Sequence, residues 1–503
     1  MQGQPDFIAQ DEEHAKAWNF VSAPELHPMR VSIDERKCGP TAPGFLFVAP
    51  YTAFGESMAG QTGSLMMDQA GNPVWFRPLK SRYVQNTDFK VQCYDGRPVL
   101  TMWQGTISGT QSDDPNLPDG DPEPGAYYQI FDQHYKLIKK LRARGGFTAD
   151  VHEFTITCRD TALFTAIKQV PGNLEPYGGP ANGYFDNYSI QEVDIHTGEL
   201  LFLWNVLEHV DPAESLLPAS SASDSNNIWD CFHVNSVEEG PDDTLLISMR
   251  NMWAIYQIDK KSGNILWQIG GKRSDFSFGP NAEFSWQHDA RYRDCNRISL
   301  FDDACCASES TPPNNAARGL ILKLDYKNKT VSVDRTYYHS PLLYVESQGN
   351  VQQLCNCNQL IGWGQQPYLS EFEQEGNTRA DPSRSILYDM RFPGQNISYR
   401  AFKYVWAGLP LYPPSIAVKA CKEGSIVYAS WNGSTETTAW IVLAGSSREH
   451  MQAASPCVKR KGFETKIHVC SSGPFFQVNA LNACGRSIGC SKVVCIDGSG
   501  MKQ

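Results

Sequence analysis

The feature that most constrains the fold of this chain is a pattern that returns about every 64 residues. Each copy has an alternating apolar run, an acidic residue, a short turn and a second apolar run, as in "SIQEVDIHTGELLFLW". The acidic positions are Asp68, Asp132, Asp194, Asp259, Asp325 and Glu373. The first five are 64, 62, 65 and 66 residues apart, and the sixth follows after 48. Each copy predicts a β-hairpin, because period-2 runs flank a turn rich in Gly, Asn and Asp.

A second hairpin precedes most copies, for example "VHEFTITCRDTALFTA" and "QHDARYRDCNRISLF". Two hairpins per repeat predict a four-stranded antiparallel blade, and six such units predict a six-bladed β-propeller over residues 41–410. Residues 1–40 form an N-terminal segment in this division. Residues 411–503 show short strands with frequent turn signals and six of the 15 cysteines, from Cys421 to Cys495. That pattern predicts a small disulfide-rich β-sandwich-like domain.

Composition narrows the classes of partner and the compartment. A net charge of −11 argues against nucleic acid, and no apolar run of about 18 residues exists to span a membrane. Four glycosylation motifs occur, at Asn187, Asn328, Asn396 and Asn432. With the cysteines they predict a secreted glycoprotein from which a signal peptide has been removed, since the first residues lack an apolar stretch. The alternative is a cytosolic protein with many free thiols.

Three of the 11 histidines lie in strand-like segments beside a carboxylate or an amide. The segments are "DVHEF" at His152, "DCFHVNSV" at His233 and "SWQHDA" at His288. The histidines stand eight, nine and eight residues before the hairpin turn residues Asp160, Asp242 and Asn296. Equivalent positions on the inner strands of successive blades converge on the propeller axis, so we expect the three to share a channel mouth. Alternatively, each is a core histidine bonded to a backbone carbonyl.

Two further residues are expected at that mouth. Asn235 projects from the same strand face as His233, and Arg250 ends the paired strand. A guanidinium offers a planar fork of donors to oxyanions, and histidine acts as acid, base or nucleophile near neutral pH. This set predicts a small-molecule site without a cofactor. A three-histidine metal site is the weaker interpretation, because an adjacent arginine repels a cation and asparagine is a poor ligand. Tryptophans that could line an apolar wall, or else pack between blades, are Trp103, Trp229, Trp253, Trp286 and Trp363.

The ordered blocks "VHEF", "FHVNSV", "SMR", "WQIGG", "QHDA", "LFDD", "SQGNVQ", "LIGWG" and "SYRAFKYVW" resemble the arylsulfotransferase family, in its secreted fungal branch. The resemblance implies a six-bladed propeller that moves sulfuryl groups between phenols through a sulfohistidine, without the nucleotide donor PAPS. It also implies that His288 is the nucleophile and that His152 and His233 act as acid, base and oxyanion partners. Asn235 and Arg250 would hold the sulfate oxygens.

The same site suits other chemistry, because fold and family motif do not fix the reaction. One alternative is a natural-product enzyme acting on a phenolic or tropolone-like aromatic. Acid-assisted dehydration would give a quinone methide, which the cavity would steer into a hetero-Diels–Alder reaction with a terpene alkene. A second alternative is a non-catalytic binding propeller.

Overall fold

The computed structural model describes residues 16–34, 39–52, 57–81, 84–107, 125–306, 315–471, 473–497 and 500–502. Within these residues the chain is built of β-strands, and six short 3₁₀-helices are the only helical segments. The helices are Glu175–Tyr177, Val206–Glu208, Pro212–Glu214, Ala219–Asp224, Pro241–Asp243 and Arg250–Met252. None of these helices is long and apolar enough to cross a bilayer.

The strands that precede residue 405 alternate with short turns. The first thirteen are β1 (Ser32–Asp34), β2 (Phe45–Thr52), β3 (Gly63–Met67), β4 (Pro73–Pro78), β5 (Gln85–Tyr94), β6 (Arg97–Gly105), β7 (Tyr127–Phe131), β8 (Leu137–Leu141), β9 (Thr148–Ile156), β10 (Thr161–Gly172), β11 (Gly183–Asp194), β12 (Leu200–Asn205) and β13 (Ile228–Trp229). The next fourteen are β14 (Val234–Glu239), β15 (Thr244–Met249), β16 (Ala254–Asp259), β17 (Ile265–Gly270), β18 (Ser277–Phe278), β19 (His288–Asp294), β20 (Arg297–Asp302), β21 (Arg318–Asp325), β22 (Thr330–Tyr338), β23 (Asn350–Gln353), β24 (Gln359–Gly362), β25 (Tyr368–Phe372), β26 (Ile386–Arg391) and β27 (Asn396–Tyr404).

These strands form antiparallel sheets that follow one another as propeller blades. In the described residues the blades are β27-β2-β3-β4, β5-β6-β7-β8, β9-β10-β11-β12, β14-β15-β16-β17, β19-β20-β21-β22 and β23-β24-β25-β26. The first strand of each blade contacts the first strand of the next, from β5 through β9, β14, β19 and β23 to β27, which contacts β5 again. The inner strands therefore make a closed ring, and the prediction of an all-β propeller fold is confirmed.

Closure depends on a pairing between distant parts of the chain. The innermost strand of the first blade is β27, which pairs antiparallel with β2 from Phe45↔Tyr404 to Thr52↔Asn396. Strand β1, inside the expected N-terminal segment, pairs with β26 and so widens the sixth blade. The division at residues 40 and 410 remains a prediction.

The acidic residues of the sequence repeat have a local structural role. Asp68 accepts backbone N–H bonds from Ala70 at 2.9 Å and Asn72 at 2.8 Å, which closes the turn between β3 and β4. Asp132 does the same for the turn between β7 and β8. Equivalent bonds form at Asp194, Asp259 and Asp325. The repeat is thus a row of outer hairpins, each closed by an aspartate side chain that mimics a turn carbonyl.

Apolar side chains fill the space between neighbouring blades. One core cluster joins the third and fourth blades and contains Leu163, Ile190, Trp204, Leu245 and Tyr256, all almost fully buried. Burying one such large side chain contributes roughly 1.5–3 kcal/mol relative to leaving it exposed. Each blade is thereby held against the next, which fixes the inner strands that carry the site.

The segment after the propeller forms two further sheets. Its strands are β28 (Ser415–Cys421), β29 (Gly424–Ser430), β30 (Ala439–Gly445), β31 (Met451–Ala453), β32 (Val458–Lys459), β33 (Glu464–Val469), β34 (Phe475–Leu481), β35 (Ser487–Cys490), β36 (Val494–Asp497) and β37 (Gly500–Lys502). The two sheets share an apolar core that includes Trp440, Val442, Phe476 and Val478.

The expectation of a disulfide-rich tail is wrong for the structure as described. The six cysteines from Cys421 to Cys495 are free, five of them are exposed, and the tail is held by its apolar core. Among the described residues the single disulfide joins the neighbouring Cys305 and Cys306, close to the propeller axis. Cysteine spacing alone does not place two sulfur atoms within bonding distance, which explains the failure.

Three of the four glycosylation motifs have an asparagine side chain that is hydrogen-bonded to the backbone of another segment. Asn187 and Asn396 are buried, and their side chains bond to the backbone of Leu207 and Ala59. Asn432 uses both amide atoms on the backbone of Phe76. Asn328 is exposed on a hairpin turn, although its amide contacts Asp325.

Candidate active site

The structure brings the three histidines together at the ring of inner strands. His152 lies on β9, His233 directly precedes β14, and His288 begins β19. The centroid of the His152 ring is 4.8 Å from that of His233 and 6.5 Å from that of His288, and the latter two are 6.1 Å apart. One nitrogen from each ring lies within 4.8 Å of the other two. The convergence that the repeat predicts is therefore present.

Each histidine is oriented by its own aspartate. Nδ1 of His152 is 2.7 Å from Asp150, and Nδ1 of His233 contacts Asp230. Nδ1 of His288 is 2.8 Å from Asp303, which directly follows β20. A carboxylate on Nδ1 places the ring proton there and leaves Nε2 as the free nitrogen. Three rings are thus held in the same tautomer, with the free nitrogens turned away from the aspartates.

His288 is the most deeply enclosed of the three. Its ring is fully buried, and its Nε2 accepts the backbone N–H of Gln348 at 3.2 Å. Burial and the positive charge of Arg250 hold the pKa of His288 well below its ordinary value. The imidazole is therefore neutral at pH 7, with its lone pair on Nε2.

The other two histidines have different surroundings. Burial lowers the pKa of His233, although its aspartate opposes that effect. His233 also has a backbone φ of 52°, a left-handed conformation that is uncommon for a non-glycine residue. Burial alone would raise the pKa of Asp150, but the charge and hydrogen bonds of His152 and the hydroxyl of Thr165 hold it below its ordinary value. Asp150 is therefore an anionic support for His152.

The histidines form part of the wall of a cavity of about 450 Å³. The wall also contains aromatic and apolar side chains, beside polar ones such as Asp186 and Gln365. The aromatic and apolar members include Tyr51, Trp103, Ile107, Tyr188, Ile397 and Tyr399. The hydroxyl of Tyr399 is buried and has no hydrogen-bond partner among the described residues, and the ring centroid of Tyr399 is 5.5 Å from that of His152. A space of this size and character suits a small aromatic molecule.

The carboxyl group of Asp186, in this wall, is a weaker acid than an ordinary aspartate. Burial, together with the nearby carboxylates of Asp230 and Asp150, raises the pKa of Asp186 to about 7. A group that titrates near neutral pH and faces a cavity is able to exchange protons with a bound molecule.

The sequence model described as arylsulfotransferase (ASST) matches residues 126–383, about half of the chain, including all three histidines. The chain belongs to the arylsulfotransferase family. It is therefore an arylsulfotransferase-like propeller enzyme. None of the curated proteins matches the chain.

Solved structures with a similar chain path are distant from this arylsulfotransferase-family protein. A protein of unknown function from Bacteroides caccae is 11% identical, with 72% of this chain and 98% of that chain covered and a TM-score of 0.41. The periplasmic gluconolactonase PpgL of Pseudomonas aeruginosa is 12% identical, with 85% and 99% covered and a TM-score of 0.35. The β-propeller domain of Cps50 (Swd1) from Myceliophteria thermophila is 10% identical, with 80% and 96% covered and a TM-score of 0.33. These TM-scores are too low to assign a fold by similarity. The propeller is assigned from the pairing of its own strands.

Asn235 is not among the residues that line the cavity of this arylsulfotransferase-family protein. It is fully buried, and its amide donates to the carbonyl of Gln287 at 2.8 Å and accepts the N–H of Asp289 at 3.3 Å. Asn350 makes a similar pair of bonds between two other blades, both to the backbone of Ala401. The side chain thus links two blades and holds the backbone on both sides of His288, while the expected contact with sulfate oxygens stays a prediction.

Arg250 lies behind the histidines and is not part of the cavity wall. Its guanidinium packs on the Trp286 ring at 4.6 Å and donates to the side chain of Asn251 and the carbonyl of Glu346, both at 2.8 Å. The structure therefore does not place Arg250 where it would hold the sulfate oxygens by contact. Its charge acts on the site from a distance, since it lowers the pKa of His288.

Of the five candidate tryptophans, one lines the cavity. Trp103 does so while its indole N–H donates to Ala149 at 3.0 Å. The other four are buried in packing between or within blades, which is the alternative that the sequence left open: Trp229, Trp253, Trp286 and Trp363.

The functional residues that sequence reasoning missed are mainly the aspartate partners and the wall. Asp150 and Asp230 stand in the same short stretches as their histidines, two and three residues earlier, so the signal was present. Asp303 comes from the neighbouring strand, and the adjacent Asp289 points instead to Arg291. No local pattern distinguishes these two roles.

Proposed function

We propose that this arylsulfotransferase-family chain moves the sulfuryl group of an aryl sulfate to a second phenolic or tropolone-like acceptor through a covalent adduct on His288. The observation that carries the proposal is the hydrogen bonding of that ring. Nδ1 of His288 donates a hydrogen bond to Asp303 at 2.8 Å, while Nε2 accepts the backbone N–H of Gln348. A neutral imidazole with a lone pair on Nε2, beside an apolar cavity, has the form of an activated nucleophile.

In the first half-reaction, Nε2 of His288 attacks the sulfur of the aryl sulfate. The N–S bond forms as the S–O bond to the aryl group breaks, and the electron pair leaves with the phenolate oxygen. A protonated His152 supplies the proton that converts this oxygen to a phenol, and Asp150 stabilises the imidazolium. Burial raises the pKa of Asp303 well above its ordinary value. Its Oδ2 accepts the Nδ1–H of His288, and this hydrogen bond stabilises the positive charge that develops on the ring.

In the second half-reaction, a new phenol loses its proton and its oxygen attacks the sulfur. The N–S bond breaks and its electron pair returns to Nε2. The proton passes to His152, which the first step left neutral, or to Asp186, whose pKa of about 7 suits a proton acceptor. The unpartnered hydroxyl of Tyr399 and the N–H of Gln348 are placed to donate to the sulfuryl oxygens. The cycle needs neither a nucleotide donor nor a cofactor.

The test is to incubate the full chain with 4-nitrophenyl sulfate and a phenol, and to follow nitrophenolate release. Rapid quenching and peptide mass spectrometry should then find the mass of one SO₃ group on the peptide that contains His288. His288→Ala should lose the adduct and reduce turnover at least about 1000-fold, as is usual when a nucleophile is removed. His196→Ala, at an exposed histidine, is the matched control and should behave like the unchanged protein.

Absence of the adduct in an active enzyme would contradict the sulfohistidine route. If His288→Ala then still dehydrates an aromatic alcohol, the dehydration and cycloaddition alternative gains support. If neither chemistry occurs while an aromatic ligand still binds, the chain is a binding propeller. At present no specific feature of the site favours either alternative.

We also propose, as an extension, that the chain is secreted. Support comes from the exposed motif at Asn328, whereas the other three motifs have an engaged asparagine. Expression in a eukaryotic secretory host should give a mass that falls on glycosidase treatment, and Asn328→Gln should remove this shift. A shift that survives Asn328→Gln, or no shift at all, would contradict this assignment.

A further inference from the structure

We propose that the three histidines also form a binding site for one divalent transition-metal ion of the Zn²⁺ class. This inference goes beyond sulfuryl transfer and stands on the geometry of the cluster alone. It concerns His152, His233 and His288, each of which offers one nitrogen within 4.8 Å of the other two.

The spacing is close to what a metal needs. Zinc binds histidine nitrogen at about 2.0–2.1 Å in tetrahedral geometry, which puts ligand nitrogens about 3.4 Å apart. The histidine nitrogens lie at most 4.8 Å apart, so side-chain shifts of about 1 Å would bring them to bonding distance. His233, which is partly exposed beside the cavity, is the ring with most room to make this shift.

The aspartates are the stronger argument. A histidine that binds a metal almost always donates its other ring N–H to a carboxylate or carbonyl, which fixes the tautomer and strengthens the ligand. Here all three rings have such a partner: Asp150 at 2.7 Å, Asp303 at 2.8 Å, and Asp230. Core histidines do not need this arrangement three times within one cluster.

The charge around the cluster also favours a cation. Three carboxylates stand behind the rings, and Asp186 lines the same cavity. The arginine that argued against a metal in the sequence is turned elsewhere, because Arg250 is engaged with Trp286, Asn251 and Glu346. Asn235, a poor ligand, is not in the cavity wall. Neither side chain blocks the metal position, and the aspartates that bond the three rings oppose the positive charge of Arg250.

The fourth coordination position would face the cavity of about 450 Å³. Three protein ligands with one open position is the pattern of catalytic rather than structural zinc sites. Metal and sulfuryl group would both need Nε2 of His288, so occupancy by one should exclude the other. This last consequence rests on the proposed function, whereas metal binding itself does not.

The experiment uses the full chain, dialysed against a chelator and then titrated with Zn²⁺ by calorimetry and with Co²⁺ by absorption spectroscopy. We expect one ion per chain and visible Co²⁺ bands without thiolate charge-transfer absorption. That distinction matters because twelve cysteines in the described residues are free. His152→Gln and His288→Gln should each weaken binding at least 100-fold. Asp150→Asn should weaken it about 10- to 100-fold, as expected for loss of a carboxylate that supports a ligand. His196→Ala should not change it.

A thiolate band, or an affinity that both glutamine variants leave unchanged, would overturn the proposal. Near-ultraviolet circular dichroism of each variant separates loss of a ligand from loss of fold, and Asp150→Asn keeps all three rings if a glutamine variant does not fold. The outcome is distinct from that of the sulfuryl proposal, because no aryl sulfate is present in this titration. As a second readout, Zn²⁺ should reduce the amount of SO₃ adduct on His288 in a protein that forms it.

Discussion

The inner strands of the propeller carry two adjacent clusters, the histidine cluster and an ion network. They differ in how far their charged groups are paired with one another. Three pairs of neighbouring residues contribute one side chain to each cluster: His152 and Glu153, His288 and Asp289, and Tyr399 and Arg400. The second member of each pair belongs to an ion network of three cations and three carboxylates. Its members are Lys90, Arg291, Arg400, Asp88, Glu153 and Asp289.

The ion network is internally matched. Arg400 is fully buried and contacts Asp88 at 2.9 Å, Glu153 at 3.3 Å and Asp289 at 3.4 Å. Lys90 bridges Asp88 at 2.7 Å and Glu153 at 3.0 Å. The histidine cluster is matched by charge on one side only. Each ring bonds an aspartate through Nδ1, whereas the opposite nitrogen of His288 accepts a neutral backbone N–H, from Gln348. A matched cluster holds strands together, whereas a half-matched one is able to bind or react.

Breaking the matched cluster should have the largest effect on stability. Arg400→Met removes one cation and leaves three buried carboxylates with two, which we expect to reduce the free energy of unfolding by about 3–5 kcal/mol. Chemical denaturation measures this loss. Arg297→Met, at a half-exposed ion pair with Asp294, is the control and should change stability by no more than about 1 kcal/mol. An equally small loss for Arg400→Met would show that the network does not stabilise the ring.

Replacing Asp303 by asparagine tests whether the hydrogen-bond partner of His288 is needed for activity. Asp303→Asn is able to present its NH₂ group to Nδ1, which moves the ring proton to Nε2 and removes the nucleophilic lone pair. We expect turnover of an aryl sulfate to fall about 100-fold, equivalent to roughly 2.7 kcal/mol of activation free energy. Steady-state kinetics measures it, with Asp325→Asn in an outer hairpin turn as the control. If the loss of activity is matched by a loss of folded protein, Asp303 is structural.

The smallest effect concerns pH. With its pKa of about 7, Asp186 accepts a proton only when ionised, so turnover should rise as the pH passes from 6 to 8. Asp186→Asn should remove that part of the profile. Since burial raises this pKa above the ordinary 3.8, the neutral form stabilises the fold, and unfolding free energy should fall between about pH 4 and 7. A profile unchanged in Asp186→Asn would assign the proton transfer to another group.

The propeller fold was predictable because its signals are local. Alternating runs set the strands, and the aspartate of each outer hairpin turn, such as Asp68, bonds the backbone within four residues. The pairing of β2 with β27 was not predictable in this way, since no short-range pattern links Phe45 to Tyr404. The prediction of disulfides in the tail failed for a related reason, because cysteine spacing does not report which sulfur atoms the fold brings together.

The site was predictable in part. The three histidines stand eight, nine and eight residues before their turns, and this similar spacing predicted that they converge. The hydrogen bonds of Asn235 to Gln287 and Asp289 were not predictable, because they cross to another inner strand. Its role as a sulfate ligand stays a prediction. Asp303 and Tyr399 arrive from other strands, and only the packed structure shows that they stand beside His288.

The position of β27 bears on how the protein is made. During synthesis, one edge of β2 in the first blade stays unpaired until β27 has been translated, which requires the ribosome to pass residue 404. An exposed strand edge is a template for pairing with other chains, so nascent or truncated forms are exposed to aggregation over most of translation. Strand β27 also carries Tyr399, a residue of the cavity wall. The pairing that closes the first blade therefore also completes the cavity in which substrate would bind.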